Sequence, residues 1–163
     1  MGLSVFPAPA AGKTAYRLTL LSGTSWTVPA GVTYVNVTLT GGGGAGCSNT
    51  IDAVTATGGT TTFTGATSAT GGHGNVMVRN GINPSVAGTG AYGEAGQHAY
   101  LGVSGPDRPT QVVRANTVSS LVTGLTPGGT VSYTIGAGGV APTSANWQGG
   151  NGGPGKIDIE YWA

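Results

Sequence analysis

A chain of 163 residues with 33 glycines and only 7% charged residues has the length of a single domain but not the composition of an ordinary one, in which glycine is about 7% and charge about 25%. Its six basic and five acidic residues leave a net charge of +1 with no cluster of either sign. That excludes nucleic-acid binding, which needs several Lys or Arg on one face, and no apolar run approaches the ~20 residues that would span a bilayer as a helix. Collagen is excluded by the lack of a glycine at every third position. Disorder is disfavoured by eleven aromatics and many Val, Ile and Thr, because such residues gain by burial.

Residues 1–15 read as an extended N-terminal arm, with Pro7 and Pro9 disfavouring helix and removing donors. Leu3, Val5, Phe6, Pro7 and Pro9 are its candidate assembly residues, and the arm is expected to dock on a neighbouring chain, since isolated termini seldom order by themselves. It lacks basic residues ahead of an apolar core and does not read as a signal peptide. Phe6 breaks the myristoylation pattern. Residues 16–163 read as one glycine-rich β domain.

Strand signals begin with residues 16–21, where Leu18 and Leu20 alternate with polar residues, and continue with 25–28, which end on the turn Pro29-Ala30-Gly31. Residues 32–40 set Val35, Val37 and Leu39 against Asn36 and Thr38, the period-two pattern of a strand with one buried face. Further candidates are 60–64, 75–79, 99–103, 111–114 and 117–122. Residues 130–135 carry Val131, Tyr133 and Ile135 on one face, and 156–161 carry Ile157, Ile159 and Tyr161. Asn80-Gly81 and Pro127-Gly128-Gly129 mark turns. No segment has a capped 3.6-residue period, so the expected fold is all-β: an antiparallel β-sandwich-like domain with glycine-rich segments, long loops and almost no helix.

Two glycine-dense stretches interrupt the strands, 41–74 with eleven glycines and 136–155 with eight. Ordering glycine costs on the order of 1 kcal/mol relative to alanine, so runs of it persist where backbones must approach too closely for a Cβ. A third irregular stretch, 80–109, is long for a compact domain, and such stretches usually carry function.

Catalytic and cofactor chemistry find little support. Gly41-Gly42-Gly43-Gly44-Ala45-Gly46 follows a strand and fits GxGxxG, yet neither a helix nor a ribose-binding acid about 20 residues on follows it. Cys47, the single cysteine, excludes an intrachain disulfide and suits a reducing compartment. Paired with His73 or His98 it has no group to orient a base, and the bland reading is a small buried side chain. His73 and His98 with Glu94 or Asp52 lack the close spacing of metal ligands. No enzyme activity, cofactor or metal is expected. Asn36-Val37-Thr38 fits a glycosylation acceptor but lies in mid-strand.

The segment Ser25-Trp26-Thr27-Val28-Pro29-Ala30-Gly31-Val32, running into an alternating strand and then Gly41 to Gly44, resembles the opening of the glycine-rich domain of bacteriophage tail-fibre and tail-tip adhesin proteins. Val131-Ser132-Tyr133-Thr134-Ile135-Gly136-Ala137-Gly138-Gly139 is similar to that family's strand ending in a Gly-Ala-Gly-Gly run. The cluster Gly149-Gly150-Asn151-Gly152-Gly153-Pro154-Gly155 before a last strand is similar to its closing element, and residues 58–72 to an internal one. The resemblance covers about residues 23–163. It implies glycine segments packed side by side in a polyglycine-II-like conformation and variable loops presented to the bacterial surface. Two departures, short glycine runs and an element at Phe63 that precedes the one at Tyr133, favour a sandwich with a few close-packed glycine segments over a full polyglycine sandwich.

By this resemblance the chain is a phage virion structural protein, assembled in the host cytoplasm, that serves in a tail fibre or tail tip in host receptor binding and attachment. The expected partners are other virion proteins through the arm, further copies in a homotrimer, and a host cell-surface glycan or outer-membrane protein. Receptor-binding candidates are Tyr92, His98, Tyr100 and Arg108 in one irregular stretch and Asn146, Trp147 and Gln148 in another, since Trp, Tyr and Arg are enriched at binding hot spots. For Trp147 and Tyr100 the competing reading is a core role. The alternative function is a purely structural virion component, a capsid decoration or a tail collar or baseplate protein. An enzyme acting on surface glycan is a third.

Overall fold

The computed structural model describes residues 12–45, 56–73, 115–141 and 150–163. Over these residues the chain is all-β, with seven strands: β1 (Ala15–Leu20), β2 (Ser25–Thr27), β3 (Tyr34–Thr40), β4 (Thr62–Phe63), β5 (Thr117–Thr123), β6 (Thr130–Thr134) and β7 (Lys156–Trp162). They form two antiparallel sheets, a four-stranded one in the order β1-β7-β3-β5 and a three-stranded one in the order β2-β6-β4. The expected strands over 75–79, 99–103 and 111–114 and the Asn80-Gly81 turn lie outside the described residues, as does the arm from Met1 to Ala11.

The period-two pattern sets the register. Val37 lies opposite Ile159, Leu39 opposite Ile157 and Val35 opposite Val122, so one face of the larger sheet is a continuous row of branched aliphatics. The smaller sheet turns Trp26, Phe63, Val131 and Tyr133 toward them, and all of these belong to one hydrophobic cluster. Trp26 packs against Phe63 and Tyr161 with ring centroids 6.2 and 6.1 Å apart, bridging the sheets. The arrangement is a sandwich, with side chains from two inner faces interdigitating. Leu39, Ile157 and Ile159 are fully buried and each contributes roughly 1.5–3 kcal/mol. Pro29-Ala30-Gly31 is a turn with Gly31 at φ +76. At Pro127-Gly128-Gly129 the N–H of Gly129 donates to the Thr126 carbonyl at 2.8 Å.

The outer face of the larger sheet is polar along its middle, with Leu121 and the packed rings of Tyr34 and Trp162 as its apolar members. Across β1, β7, β3 and β5 it carries Thr19, Asp158, Thr38 and Ser119 in one row. Thr19 Oγ1 donates to Asp158 Oδ1 at 2.6 Å, and Lys156 Nζ lies 2.9 Å from Asp158 Oδ2. Asp158 is only 7% exposed. Burial pushes its carboxyl pKa up, but the hydrogen bonds from Lys156 and Thr19 and the charges of Lys156 and Arg17 outweigh that and hold it below the ordinary value.

Candidate functional site at the outer end of a glycine bundle

Four strands of the two sheets run directly into, or out of, glycine. β3 leads into 41–45 and β6 into 136–141, while 56–60 lead into β4 and 150–155 into β7. With 70–73 these make five glycine-rich segments at one end of the sandwich, none of them a β-strand. A chain without a ladder of its own must place its N–H and C=O groups elsewhere, and here each segment bonds its neighbours. Gly42 N–H donates to Gly59 O and, three residues on, Ala45 N–H donates to Ala56 O, both at 2.9 Å. Between them Gly43 N–H turns to Gly153 O at 2.8 Å. Gly152 and Gly155, again three apart, donate to Gly139 and Gly136 at 2.9 and 2.7 Å.

That recurrence of three, where a strand would show two, is the periodicity of a polyproline-II helix, whose backbone makes no internal hydrogen bonds. The 41–45 segment also receives bonds from Gly72 at Gly42 O and from Gly139 at Gly43 O, both at 2.8 Å. It is thus bonded to all four other segments. A strand in a flat sheet has at most two neighbours, so this is three-dimensional packing of polyglycine-II type. The sequence's short runs implied only a few close-packed segments; the bundle takes in five, because runs of two to four glycines from distant parts of the chain are enough when they stack.

Glycine is required here by close approach. A Cβ on Gly42 would collide with the Ala137 carbonyl, one on Gly58 with the Gly42 carbonyl, and one on Gly152 with the Gly43 carbonyl. All three obstacles are backbone, which cannot swing aside as a side chain can. Buried Thr61 closes the inner end, where its Oγ1 donates to Thr40 O at 2.7 Å and accepts from Gly136 N–H at 3.0 Å.

The bundle gives the domain two poles. β7 leaves the glycine segments at Lys156 and finishes beside the start of β1, where Thr14 N–H donates to Ala163 O at 2.9 Å. At the opposite pole stand Ala45 and Ala56, the flanks of 46–55, and Ala141 and Gly150, the flanks of 142–149. Ala141 N–H there donates to Asn151 Oδ1 at 2.8 Å. Residues 74–114 join lower down, between His73 and the Asn116 region, where Asn116 N–H donates to Thr70 O at 3.0 Å.

Every receptor-binding candidate of the sequence, Tyr92, His98, Tyr100, Arg108, Asn146, Trp147 and Gln148, lies outside the described residues, as do Leu3, Val5, Phe6, Pro7, Pro9, Cys47, Asp52 and Glu94. His73 is described and exposed. The five segments themselves carry no Asp, Glu, Lys or Arg, and among the described residues no three His, Cys, Asp or Glu gather as metal ligands. What the outer pole offers is a cross-bonded backbone base without charged residues, from which the chain departs at two places. No known protein family, curated protein or solved structure matches the chain.

Proposed function

We propose that this protein is a phage virion component, a part of a tail fibre or tail tip, that contributes to host attachment by displaying variable segments on a rigid glycine bundle. The observation that carries the reading is the two-pole arrangement. Thr14 and Ala163 stand at one pole, and the flanks of 46–55 and 142–149 stand at the other, with the bonded glycine segments between.

The physical logic is separation of duties. Backbone–backbone bonds between segments hold the bundle whatever side chains the insertions carry, so the inserted residues are free to vary for recognition. Tyr92, Tyr100 and Trp147 supply aromatic faces, and Asn146, Gln148 and Arg108 supply hydrogen bonds, a mixture suited to a glycan or to an outer-membrane protein. The protein acts by binding, and several copies on a threefold fibre would add avidity without new contacts.

The experiment is to image intact virions carrying a label at Ala163 and, in parallel, to measure binding of the purified protein to host cells. Label at the distal tail with saturable cell binding is the expected result. Label on the capsid or collar with no cell binding would replace this reading with a purely structural virion role.

A further inference from the structure

The 150–155 segment carries an Asn-Gly pair, Asn151-Gly152, and the bundle needs both residues. A Cβ on Gly152 would collide with the Gly43 carbonyl. Asn151 Oδ1 accepts the N–H of Ala141 at 2.8 Å, serving a donor that a backbone carbonyl serves elsewhere in the bundle. An N–H calls for an acceptor, which fixes the side-chain oxygen, and not the amide nitrogen, at this contact.

Asn-Gly is also the sequence in which asparagine is most readily altered, for a steric reason. With no Cβ on the following residue, its backbone nitrogen can swing against the asparagine Cγ. That nitrogen gives up its proton, forms a C–N bond to Cγ and displaces the side-chain amide, which takes up a proton and leaves as ammonia. The product is a five-membered succinimide. Water then opens one of its two carbonyl C–N bonds, giving aspartate or, with the chain rerouted through the side-chain carbon, isoaspartate. Water is the only co-reactant.

In the folded chain one neighbouring segment holds both reacting groups. Gly152 N–H donates to Gly139 O at 2.9 Å, which occupies the nucleophile. Ala141 N–H, two residues further on, holds the side-chain carbonyl. The second contact alone would favour attack by drawing charge onto Oδ1. The first decides, because Gly152 is buried. To lose its proton and turn toward Cγ, its nitrogen must leave Gly139, and the residue must leave its close packing on Gly43. Reaction therefore waits on local opening.

We propose that Asn151-Gly152 is a succinimide-forming modification site that the glycine bundle keeps closed, so that a chain slow to fold is altered irreversibly and a folded one is not. Isoaspartate lengthens the backbone by one atom and moves the free carboxylate to the α-carbon, so Ala141 and Gly139 can no longer be served together. Aspartate keeps the backbone length and an acceptor at Oδ1. The proposal is independent of the attachment reading.

The test uses the unaltered protein at mildly alkaline pH, folded in buffer and unfolded in guanidinium chloride, with site-resolved peptide mapping by mass spectrometry. In denaturant, Asn151 should convert at a rate similar to Asn80 of the chain's other Asn-Gly pair. In the folded protein, Asn151 should convert at least about tenfold more slowly than in denaturant. Equal rates at Asn151 in the two conditions, or an Asn151 that stays intact in denaturant, would overturn the proposal. Chains aged in denaturant and then diluted into buffer give the second readout. The refolded fraction should be depleted of isoaspartate at position 151, while Asn151→Asp should refold like the unaltered chain. Equal isoaspartate in refolded and aggregated fractions, or an Asn151→Asp chain that fails to refold, would overturn the distinction between the two products.

Discussion

A single added methyl group separates the two kinds of glycine in this protein. At Gly58 a Cβ would meet the Gly42 carbonyl, whereas at Gly124 it would meet nothing within 4 Å but would sit at φ +72. Gly58→Ala should therefore cost about 3 kcal/mol or more, the upper range for overpacking against atoms that cannot yield. Gly124→Ala should cost only about 1–2 kcal/mol, the penalty of a left-handed backbone for an L-residue. Denaturant unfolding of the two variants measures the difference directly. Composition announced that glycine was needed; it could not say which glycines were needed for contact and which for backbone conformation, because both look alike in a sequence.

Asp158 supplies a second test at this scale. Its folded pKa is below the ordinary value, so in acid the unfolded state binds more protons than the folded one, and stability falls as pH falls. The contribution is fully present above the unfolded pKa of about 3.9 and disappears as pH drops through the folded value. Unfolding midpoints should be nearly flat near pH 6 and decline below about pH 4, with a shallower decline in Asp158→Asn. An identical acid slope in the variant would remove Asp158 from the account.

Among elements, the junction of sandwich and bundle rests on Thr61. Its hydroxyl serves Thr40 O and Gly136 N–H together, and Thr61→Val keeps the shape while leaving a buried N–H without a partner. A loss of about 1–3 kcal/mol is expected, and Thr61→Ser should retain most of the stability. The strands were legible because alternation survives in sequence: Val35, Val37 and Leu39, and Ile157 and Ile159, point to the core as their spacing requires. The short β4 falls within the expected strand at 60–64, but the bundle was less legible. Thr62 and Phe63 form a strand only because β6 is there to pair with them, and glycine segments carry no side-chain pattern from which their bonding partners could be deduced.

The whole molecule is all-β in its described part, so far-UV dichroism should show little helix. More than about one-fifth, against an average near one-third, would mean that residues outside the described part contain substantial helix. The candidate recognition residues were named from residue type alone; the flanks of 142–149 tie Asn146, Trp147 and Gln148 to the outer pole, while Tyr92, His98, Tyr100 and Arg108 belong to 74–114, whose flanks join lower down. The fold class could be read from periodicity; the functional reading rests on resemblance and on that arrangement of poles.

The central claim, that the bundle exists to present binding segments, is tested most directly by pairing two readouts on two variants. Trp147→Ala and Tyr92→Ala, in 142–149 and 74–114, should each leave unfolding stability within about 0.5 kcal/mol, as expected for surface sites, while virions carrying them adsorb to host cells more weakly. Full adsorption with both variants, or a loss of roughly 3–5 kcal/mol as for a buried aromatic, would contradict it.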